Sequence, residues 1–337
     1  MYVQILPVIA NDIPAHIKQL FQALENRIKD FSEHRFASGY HSTIGYGAGT
    51  KDISGNHGEG MLKANPKLDQ RIATTHGDIG TTAFILSALR KLAANPPAGV
   101  RLPRISIYGA NGVIGEAISR SIVSDPSLRW QSIQLVGRAD PSNLTRKRDR
   151  LIRLQASLEN IAMDHKVPIH ISQQSERAAV DHDSDILIVA TQNMQLTPAN
   201  MNSNTLVFDV TTPPACHPKE DWTDSNIKVL HAGYVEFDKR VVPEELGWIG
   251  EQPLYDLGMG VRRAWGCLAD SALHSIFDYK GHIVGRDISY EQVQDFIEKA
   301  ERVGMYPQPP ESTVVARESY CWERLKEEVF GQPHKKP

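Results

Sequence analysis

Two short stretches of the chain contain residues that could do chemistry. One is the glycine turn "GANGVIG" at residues 109–115, and the other is Cys267 within "RRAWGCLADSALHSI". A glycine turn between a strand and a helix binds the phosphates of a nucleotide, and a cysteine thiolate attacks carbonyl carbons. The two stretches therefore predict a phosphate-bearing ligand and a nucleophile, which would belong to one site if the fold brings them together.

The glycine spacing is that of a dinucleotide-binding turn. Gly109 permits the tight turn, Gly112 lets the backbone approach a diphosphate, and Gly115 lets the following helix pack closely. The turn follows the apolar strand "ISIYGA" and precedes a helix and a second strand, "SIQLVGR", which is the context it requires. The alternative is a sheet of this type that binds nothing. The residues predicted to bind the cofactor here are Gly109, Asn111, Gly112, Val113, Ile114 and Gly115.

The end of the second strand favours NADPH over NADH. An acid there would hold the ribose 2′-hydroxyl of NAD, but Gly137 and Arg138 occupy the position. Arg138 can make bidentate, charge-assisted hydrogen bonds to a 2′-phosphate, whereas Asp140 leaves NAD as an alternative cofactor. After a later strand, Thr191 and Gln192 are predicted to border the cofactor, or else to form an ordinary polar loop.

Cys267 is predicted to lie in the middle of a helix over residues 257–278. On such a helix Arg263 and Ser271, four residues before and after it, share its face, and Asp270 lies nearby. A cation beside the sulfur favours the thiolate. A buried, inert side chain is the more common fate of a cytosolic cysteine and is the alternative.

A second helix is predicted from about Ile79 to Ala94, within and after "TTHGDIGTTAFI". Asp78 or Thr75 would be its N-cap. Similar segments in shikimate-dehydrogenase-like proteins face the nicotinamide ring. By this analogy of position, Asp78 is a candidate catalytic residue.

The elements that would position these residues alternate between strand and helix. Such alternation implies a parallel sheet with helices on both faces. The predicted fold class is therefore α/β, with a Rossmann-like parallel sheet, a smaller N-terminal α/β substrate region and C-terminal helices. Strands are predicted at residues 2–9, 105–110, 132–138, 167–172, 185–191, 206–211 and 227–233, and helices near residues 13–31, 79–94, 145–161, 257–278, 289–303 and 316–329.

Four regions follow from this order of elements. Residues 1–96 would form the N-terminal substrate region with its connecting helix, residues 97–235 the NADP-binding domain, residues 236–330 a C-terminal helical region with Cys267, and residues 331–337 a flexible tail.

The composition excludes several classes of protein. The 337 residues are 41% hydrophobic and 23% charged, as in an ordinary globular protein, and the net charge of −3 gives no basic field for nucleic acid. Three cysteines without a CxxC pair argue against a disulfide framework or a metal site and favour the cytoplasm. No apolar run approaches the ~20 residues of a membrane-spanning helix, and the N-terminus lacks the features of a signal peptide.

Several motifs, in their shared order and spacing, resemble the cyanobacterial long-chain acyl-(acyl-carrier-protein) reductases. The resemblance covers roughly residues 15 to 310. It includes the glycine turn, "VLHAGYVE", a helix with an R-x-x-x-x-C-x-A-E pattern and a "GR" turn before the last long helix. Outside the glycine turn, the matching residues are Gly233, Glu236, Arg262, Cys267, Ala269, Asp270, Gly285 and Arg286.

This resemblance implies an NADPH-dependent reduction of a fatty acyl thioester to an aldehyde. Cys267 matches the family nucleophile, which takes the acyl group as a thioester before hydride reduces it. Arg262 becomes a candidate catalytic residue and Gly233 a candidate cofactor residue. Backbone N–H groups or the Thr81 hydroxyl would stabilise an oxyanion. Acyl carrier protein or acyl-CoA would carry the acyl group, and the basic stretch Arg146–Arg153 could dock an acidic carrier.

The chain also departs from the family pattern. Phe237 replaces a histidine, Asp270 replaces a glutamate, and the family has several tens of additional N-terminal residues that help to form the acyl site. A second protein chain could complete that site. Two other functions stay open: an NADP-dependent dehydrogenase of the shikimate-dehydrogenase type acting on a small polar substrate, and a non-catalytic binding subunit.

Overall fold

A computed structural model of the chain provides the structure. The residues it describes are 19, 22, 25–26, 42–46, 54, 56–66, 72–95, 99–137, 144–164, 170–174, 184–191, 194–202, 204–211, 214–216, 222, 225–238, 263–279, 281–310 and 320–331.

Twelve strands and seven α-helices have both of their ends within the described residues. The strands are β1 (Ser42–Gly45), β2 (Ile72–Thr75), β3 (Arg104–Tyr108), β4 (Ser132–Val136), β5 (His170–Gln174), β6 (Ile186–Val189), β7 (Leu206–Asp209), β8 (Lys228–His231), β9 (Tyr234–Phe237), β10 (Arg263–Trp265), β11 (His282–Ile283) and β12 (Met305–Pro307). The helices are α1 (Glu59–Ala64), α2 (Asp78–Ala93), α3 (Val113–Ser124), α4 (Leu144–Asp164), α5 (Gly266–Ile276), α6 (Tyr290–Arg302) and α7 (Trp322–Phe330).

Six parallel strands form the main sheet, in the order β5–β4–β3–β6–β7–β8. Strands β6 and β7 are buried along their whole length, as strands covered by helices on both faces must be. The order is that of a doubly wound dinucleotide-binding sheet, and it reverses between β3 and β6, beside the glycine turn. The α/β, Rossmann-like fold class predicted from the sequence is confirmed.

Two smaller sheets carry the remaining strands. One is parallel, in the order β1–β2–β11, and the other is antiparallel, in the order β10–β9–β12. Strand β2 leads into α2, and β10 leads directly into α5, so these two sheets set the starting points of both helices.

Helix α2 lies at the centre of the structure. Every residue from Asp78 to Leu89 is buried, and a helix buried on all sides must be enclosed by other elements. It packs against α3, α5 and α6, and Phe84 meets Phe296 of α6 edge to face, with ring centroids 5.8 Å apart. Helix α2 therefore joins the helix after the glycine turn to the helix that carries Cys267.

The segment before Cys267 is not helical, so the prediction of one helix over residues 257–278 is wrong. Arg263–Trp265 form β10, which pairs with β9, and α5 begins at Gly266. Pairing with β9 gives these backbone groups the partners that a helix would otherwise supply. Cys267 is therefore the second residue of its helix, and Arg263 does not share its helix face.

The other predicted elements that the structure describes agree with it within a few residues. The predicted strand at residues 2–9 lies outside the described residues, whereas residues 19, 22, 25 and 26 of the predicted N-terminal helix are helical. The region predicted to be helical after residue 236 also contains β10, β11 and β12. The division into domains stays a prediction.

Two features are absent from the part of the chain that the structure describes. None of the described helices combines the length and apolar character needed to cross a membrane. The same residues contain no group of three or more histidine, cysteine or acidic side chains arranged to hold a metal ion.

Candidate active site

The glycine turn has the geometry that a diphosphate site requires. Gly109 has a left-handed φ of +82°, and a Cβ there would lie 2.5 Å from the Ala190 carbonyl oxygen after β6. A Cβ at Gly115 would overlap the Gly109 carbonyl, so only glycine lets α3 approach the turn. Gly112 is the N-cap of α3, whose first N–H groups have no intrahelical acceptors. The turn therefore fits a dinucleotide phosphate at a helix N-terminus.

The same turn also holds Asn111, Val113, Ile114 and Thr191, which are predicted to bind the cofactor. Val113 and Ile114 are the first two residues of α3. Thr191 follows β6, and a Cβ added to Gly109 would lie 3.0 Å from the Cβ of Thr191. Arg138 and Gln192 lie outside the described residues, so the preference for NADPH stays a prediction.

Arg286 reaches the glycine turn from a distant part of the chain. Its Nη2 donates to the Asn111 carbonyl oxygen at 3.3 Å, across 175 residues of sequence. The preceding Gly285 N–H donates to the His57 carbonyl oxygen at 3.1 Å. A guanidinium is thus held beside the turn where a diphosphate would carry negative charge.

Cys267 lies at the carboxyl edge of the main sheet, which is also the edge of the glycine turn. Strand β8 ends at His231, and the Gly233 carbonyl oxygen, two residues later, accepts from the Gly266 N–H at 2.7 Å. Gly266 and Cys267 are the first two residues of α5. Cys267 is 9% exposed, and the positive end of a helix favours a thiolate at this position.

Cys267 also packs against the start of α2. Gly77, the N-cap of α2, has a φ of +76°, and a Cβ there would lie 2.8 Å from the Cys267 Cα. A Cβ at Gly266 would likewise lie 2.8 Å from the Thr81 Cα. Glycine on both sides therefore lets α2 and α5 cross with their main chains in contact, which fixes the position of Cys267.

Asp270 joins the same two helices through its buried carboxylate. Thr75 Oγ1 donates to Asp270 Oδ1 at 2.8 Å, and the Gly80 N–H donates to Oδ2 at 2.9 Å. His274 Nδ1 lies 3.0 Å from Oδ1. Burial by itself lowers the pKa of His274, but its hydrogen bond to Asp270 and the charge of Asp270 outweigh burial, and the net pKa is raised.

Asp78 lies next to Gly77 and is fully buried. Its N–H donates to His76 Nδ1 at 3.1 Å, and its Oδ2 lies 3.5 Å from His57 Nδ1. The prediction that Asp78 or Thr75 is the N-cap of α2 is wrong, because Gly77 holds that position and Asp78 is the first helical residue. The catalytic role of Asp78 stays a prediction.

Tyr234 lies in β9, next to the strand that leads to Cys267. It is the cross-strand partner of Trp265, whose Nε1 donates to Tyr234 Oη at 2.7 Å. Burial raises the pKa of Tyr234, the hydrogen bond from Trp265 lowers it, and the charges of Cys267 and Asp209 raise it further. The net pKa is raised, so the phenol is protonated at neutral pH and within electrostatic range of the thiol.

Asp209 and His231 lie at the same edge of the sheet. Asp209 ends β7 and accepts hydrogen bonds from Thr211 Oγ1 at 2.6 Å and from the Cys216 N–H at 3.0 Å. Burial lowers the pKa of His231, with the charge of Asp209 opposing it, so the imidazole is neutral near pH 7. Burial and then Asp209 raise the pKa of the Cys216 thiol, which makes it a poor nucleophile.

The remaining candidates are Arg262, Thr81 and Gly233. Arg262 lies outside the described residues. Thr81 Oγ1, considered as an oxyanion donor, donates to the Gly77 carbonyl oxygen at 3.3 Å. Gly233, predicted to bind the cofactor, has a φ of +77°, and a Cβ there would lie 2.7 Å from Thr81 Cγ2, so close packing against α2 accounts for the glycine.

Sequence reasoning assigned no role to Tyr234, Trp265 or the loop with Arg286. Only Gly233 and Glu236 of the segment "VLHAGYVE" enter the sequence prediction, although the tyrosine directly after Gly233 is a visible signal. The pairing of β9 with β10, which brings Tyr234 to Trp265, joins segments about thirty residues apart and has no local signature.

No protein-family model matches the chain, and no curated protein matches it. Among solved structures, the ligand-free form of 5-ketofructose reductase of Gluconobacter sp. strain CHM43 is similar to part of it. The sequence identity is 14%, the TM-score is 0.30, and the match covers 67% of this chain and 64% of that chain, which is less than two thirds of its length. A similarity this weak carries no argument about function, and the fold class is established by the order of the strands.

Proposed function

We propose that the protein reduces a fatty acyl thioester to an aldehyde, with NADPH as the reductant and Cys267 as the residue that takes up the acyl group. One observation carries the proposal. The hydrogen bond from Gly266 to Gly233 joins the start of α5 to the end of β8, so the thiol lies at the sheet edge where a dinucleotide-binding fold holds its ligand.

The order of the strands supports a nicotinamide close to this thiol. In such a sheet the ligand lies across the point where the strand order reverses, with its two nucleotides over the two halves of the sheet. Strands β6, β7 and β8 form the half beyond β3, and β8 is three strand spacings from β3, roughly 14 Å. The second nucleotide would therefore extend toward Asp209, His231 and Cys267.

The residues of this chain have separate tasks in the proposed reaction. The Cys267 thiolate, favoured by the start of α5, attacks the acyl carbon and releases the carrier thiol. The glycine turn and Arg286 hold the diphosphate, and the close crossing of α2 and α5 keeps the sulfur in place. A bound NADPH supplies the hydride that reduces the enzyme thioester. Asp270 and the Gly77 turn position the thiol and do not contact the acyl carbon.

The carrier is proposed to be acyl carrier protein or acyl-CoA, and a second protein chain is proposed to complete the acyl site. Arg150 of the basic stretch and Arg120 of α3 both pair with Glu116, at 2.8 and 3.0 Å. Arg153 is exposed on the same helix as Arg150. An acidic carrier would therefore meet Arg153 more readily than Arg150. A cytoplasmic location is part of this proposal.

Intact mass spectrometry tests the proposed function. The protein is incubated with palmitoyl-CoA or palmitoyl-carrier protein in the absence of NADPH, and the mass of one acyl group is expected on Cys267. NADPH is then added, and loss of the adduct with release of an aldehyde is expected. Wild-type protein that forms no adduct on Cys267 would contradict the proposal.

Two cysteine variants make the test specific. Cys267→Ala is expected to abolish the adduct. Cys321→Ala is the matched control, because Cys321 is an exposed cysteine that also lies at a helix start, as the N-cap of α7. An adduct that depends on Cys321 instead of Cys267 would reflect ordinary thiol reactivity. Oxidation of a small hydroxy acid by Cys267→Ala would instead support a dehydrogenase with a structural cysteine.

A further inference from the structure

Tyr234 is fixed relative to the start of α5. It pairs across the antiparallel ladder with Trp265, which directly precedes the helix, and the indole N–H donates to its phenol oxygen at 2.7 Å. The side chains of a cross-strand pair project from the same face of a sheet. The position of the phenol is therefore tied to a residue two places before Cys267.

The phenol has a proton to give. Its oxygen accepts from Trp265, and a tyrosine hydroxyl can accept and donate at the same time, so its own O–H remains a donor. Thr81 commits its hydroxyl to the Gly77 carbonyl. The imidazole ring of His231 lies 5.0 Å from the ring of Tyr234, centroid to centroid. This imidazole is neutral near pH 7 because burial lowers its pKa. Tyr234 is partly exposed, unlike the fully buried Asp270.

We propose that Tyr234 is a further catalytic residue, which protonates the oxygen of the Cys267-bound acyl group as that group is reduced. This inference rests on the proposed function. Hydride adds to the thioester carbon, the C=O π electrons move to oxygen, and that oxygen takes the Tyr234 proton to give a hemithioacetal. The tyrosinate then takes the hydroxyl proton back, the C=O bond re-forms, the C–S bond breaks, and aldehyde leaves a Cys267 thiolate.

The surroundings of Tyr234 suit both the donation of its proton and the return of the proton to the tyrosinate. Burial and the charge of Asp209 keep the phenol protonated in the acyl-enzyme, in which the Cys267 sulfur is bonded to the acyl group and carries no charge. The N–H of Trp265 stabilises the tyrosinate that forms when the proton has left. Trp265 is therefore a positioning residue, since it acts through Tyr234.

Tyr234→Phe separates this step from acylation. The variant is expected to form the Cys267 adduct at the wild-type rate without NADPH, as measured by intact mass. Discharge of the isolated acyl-enzyme by NADPH, followed in one turnover by mass and by absorbance at 340 nm, is expected to slow by about 10²–10⁴-fold, the usual contribution of a general acid.

Tyr306→Phe is the matched control, because Tyr306 is a tyrosine of the same small sheet that is 39% exposed. It is expected to discharge the acyl group at the wild-type rate. Discharge by Tyr234→Phe at the wild-type rate, or equal slowing in both variants, overturns the role of Tyr234 and leaves the proposed function intact. A wild-type protein without an adduct overturns the proposed function and this inference together.

A second measurement does not depend on how the phenylalanine variant folds. Incorporation of 3-fluorotyrosine at position 234 keeps the shape of the side chain and makes the phenol more acidic. The high-pH limb of the discharge rate is expected to move to lower pH, while the acylation rate keeps its wild-type pH dependence. A discharge profile that does not move would show that this phenol does not supply the proton.

Discussion

Gly77 and Cys267 are in direct contact, although 189 residues separate them in the chain. A Cβ on Gly77 would overlap the Cys267 Cβ, and Gly77 itself has a φ of +76°. The glycine is therefore required twice, once for its backbone conformation and once for the space that the cysteine occupies. The contact links the N-terminus of α2 to the proposed nucleophile.

The first prediction concerns this contact. Gly77→Ala is expected to lower the free energy of unfolding by about 1–2 kcal/mol for the left-handed backbone and by about 1–3 kcal/mol more for the overlap with Cys267. Chemical denaturation measures the change. Gly99→Ala is the control, since Gly99 has a φ of +82° but nothing within 4 Å of its added Cβ. Equal losses in the two variants would show that the overlap has no cost.

The second prediction concerns the arginine at the glycine turn. Arg286→Ala is expected to weaken NADPH binding by about tenfold or more, because a charge-assisted hydrogen bond and a cation beside the diphosphate are lost. Fluorescence titration of the protein with NADPH measures the dissociation constant. Arg129→Ala is the control, because Arg129 also donates to backbone carbonyls but lies in the loop after α3. Unchanged binding in Arg286→Ala would remove Arg286 from the site.

The third prediction concerns pH. The pKa of His274 is raised in the folded protein, so its contribution to stability is complete below the unfolded value of about 6.5 and is lost as pH rises through the folded value. The melting temperature of the wild type, minus that of His274→Gln, is expected to fall as pH increases from 6 upward. The subtraction removes the contributions of His231 and His282 to the pH dependence of stability. Their lowered pKa values would change stability with pH in the opposite direction. A difference that is constant with pH would contradict the prediction.

The groups around His274 define the origin of that effect. Asp270 faces its Nδ1, Lys299 of α6 opposes its charge, and the ring of Tyr279 lies 4.6 Å away, centroid to centroid. Lys299→Met is therefore expected to raise the pKa of His274 further, and NMR titration of the imidazole measures it.

The fourth prediction concerns the choice of dinucleotide. Arg138→Asp is expected to reverse a preference for NADPH, because the guanidinium that would bind the 2′-phosphate is replaced by an acid that binds the 2′-hydroxyl. The ratio of the dissociation constants for NADPH and NADH measures the preference. Asp140→Ser is expected to leave that ratio unchanged, and a loss of NADH binding in this variant would assign the ribose to Asp140 instead.

The sequence predicted those features that depend on neighbouring residues. Alternating strands and helices, together with the spacing of Gly109, Gly112 and Gly115, were sufficient for the parallel sheet and its turn. The start of α5 depends on pairing between β9 and β10, which no local pattern encodes, so the predicted helix begins about nine residues before the observed one. Asp270 and Arg286 gain their roles through contacts across 190 and 175 residues.

The crossing of α2 and α5 has a consequence for how such a site can change. Because the two main chains touch at Gly77, Gly80 and Gly266, the position of the sulfur is fixed, and a larger side chain at any of these glycines would overlap the facing helix. In the proposed reaction, differences in the length of the acyl group would therefore have to be accommodated by the residues around the thiol. The distance between the sulfur and the sheet would then be the same for every acyl group that the site accepts.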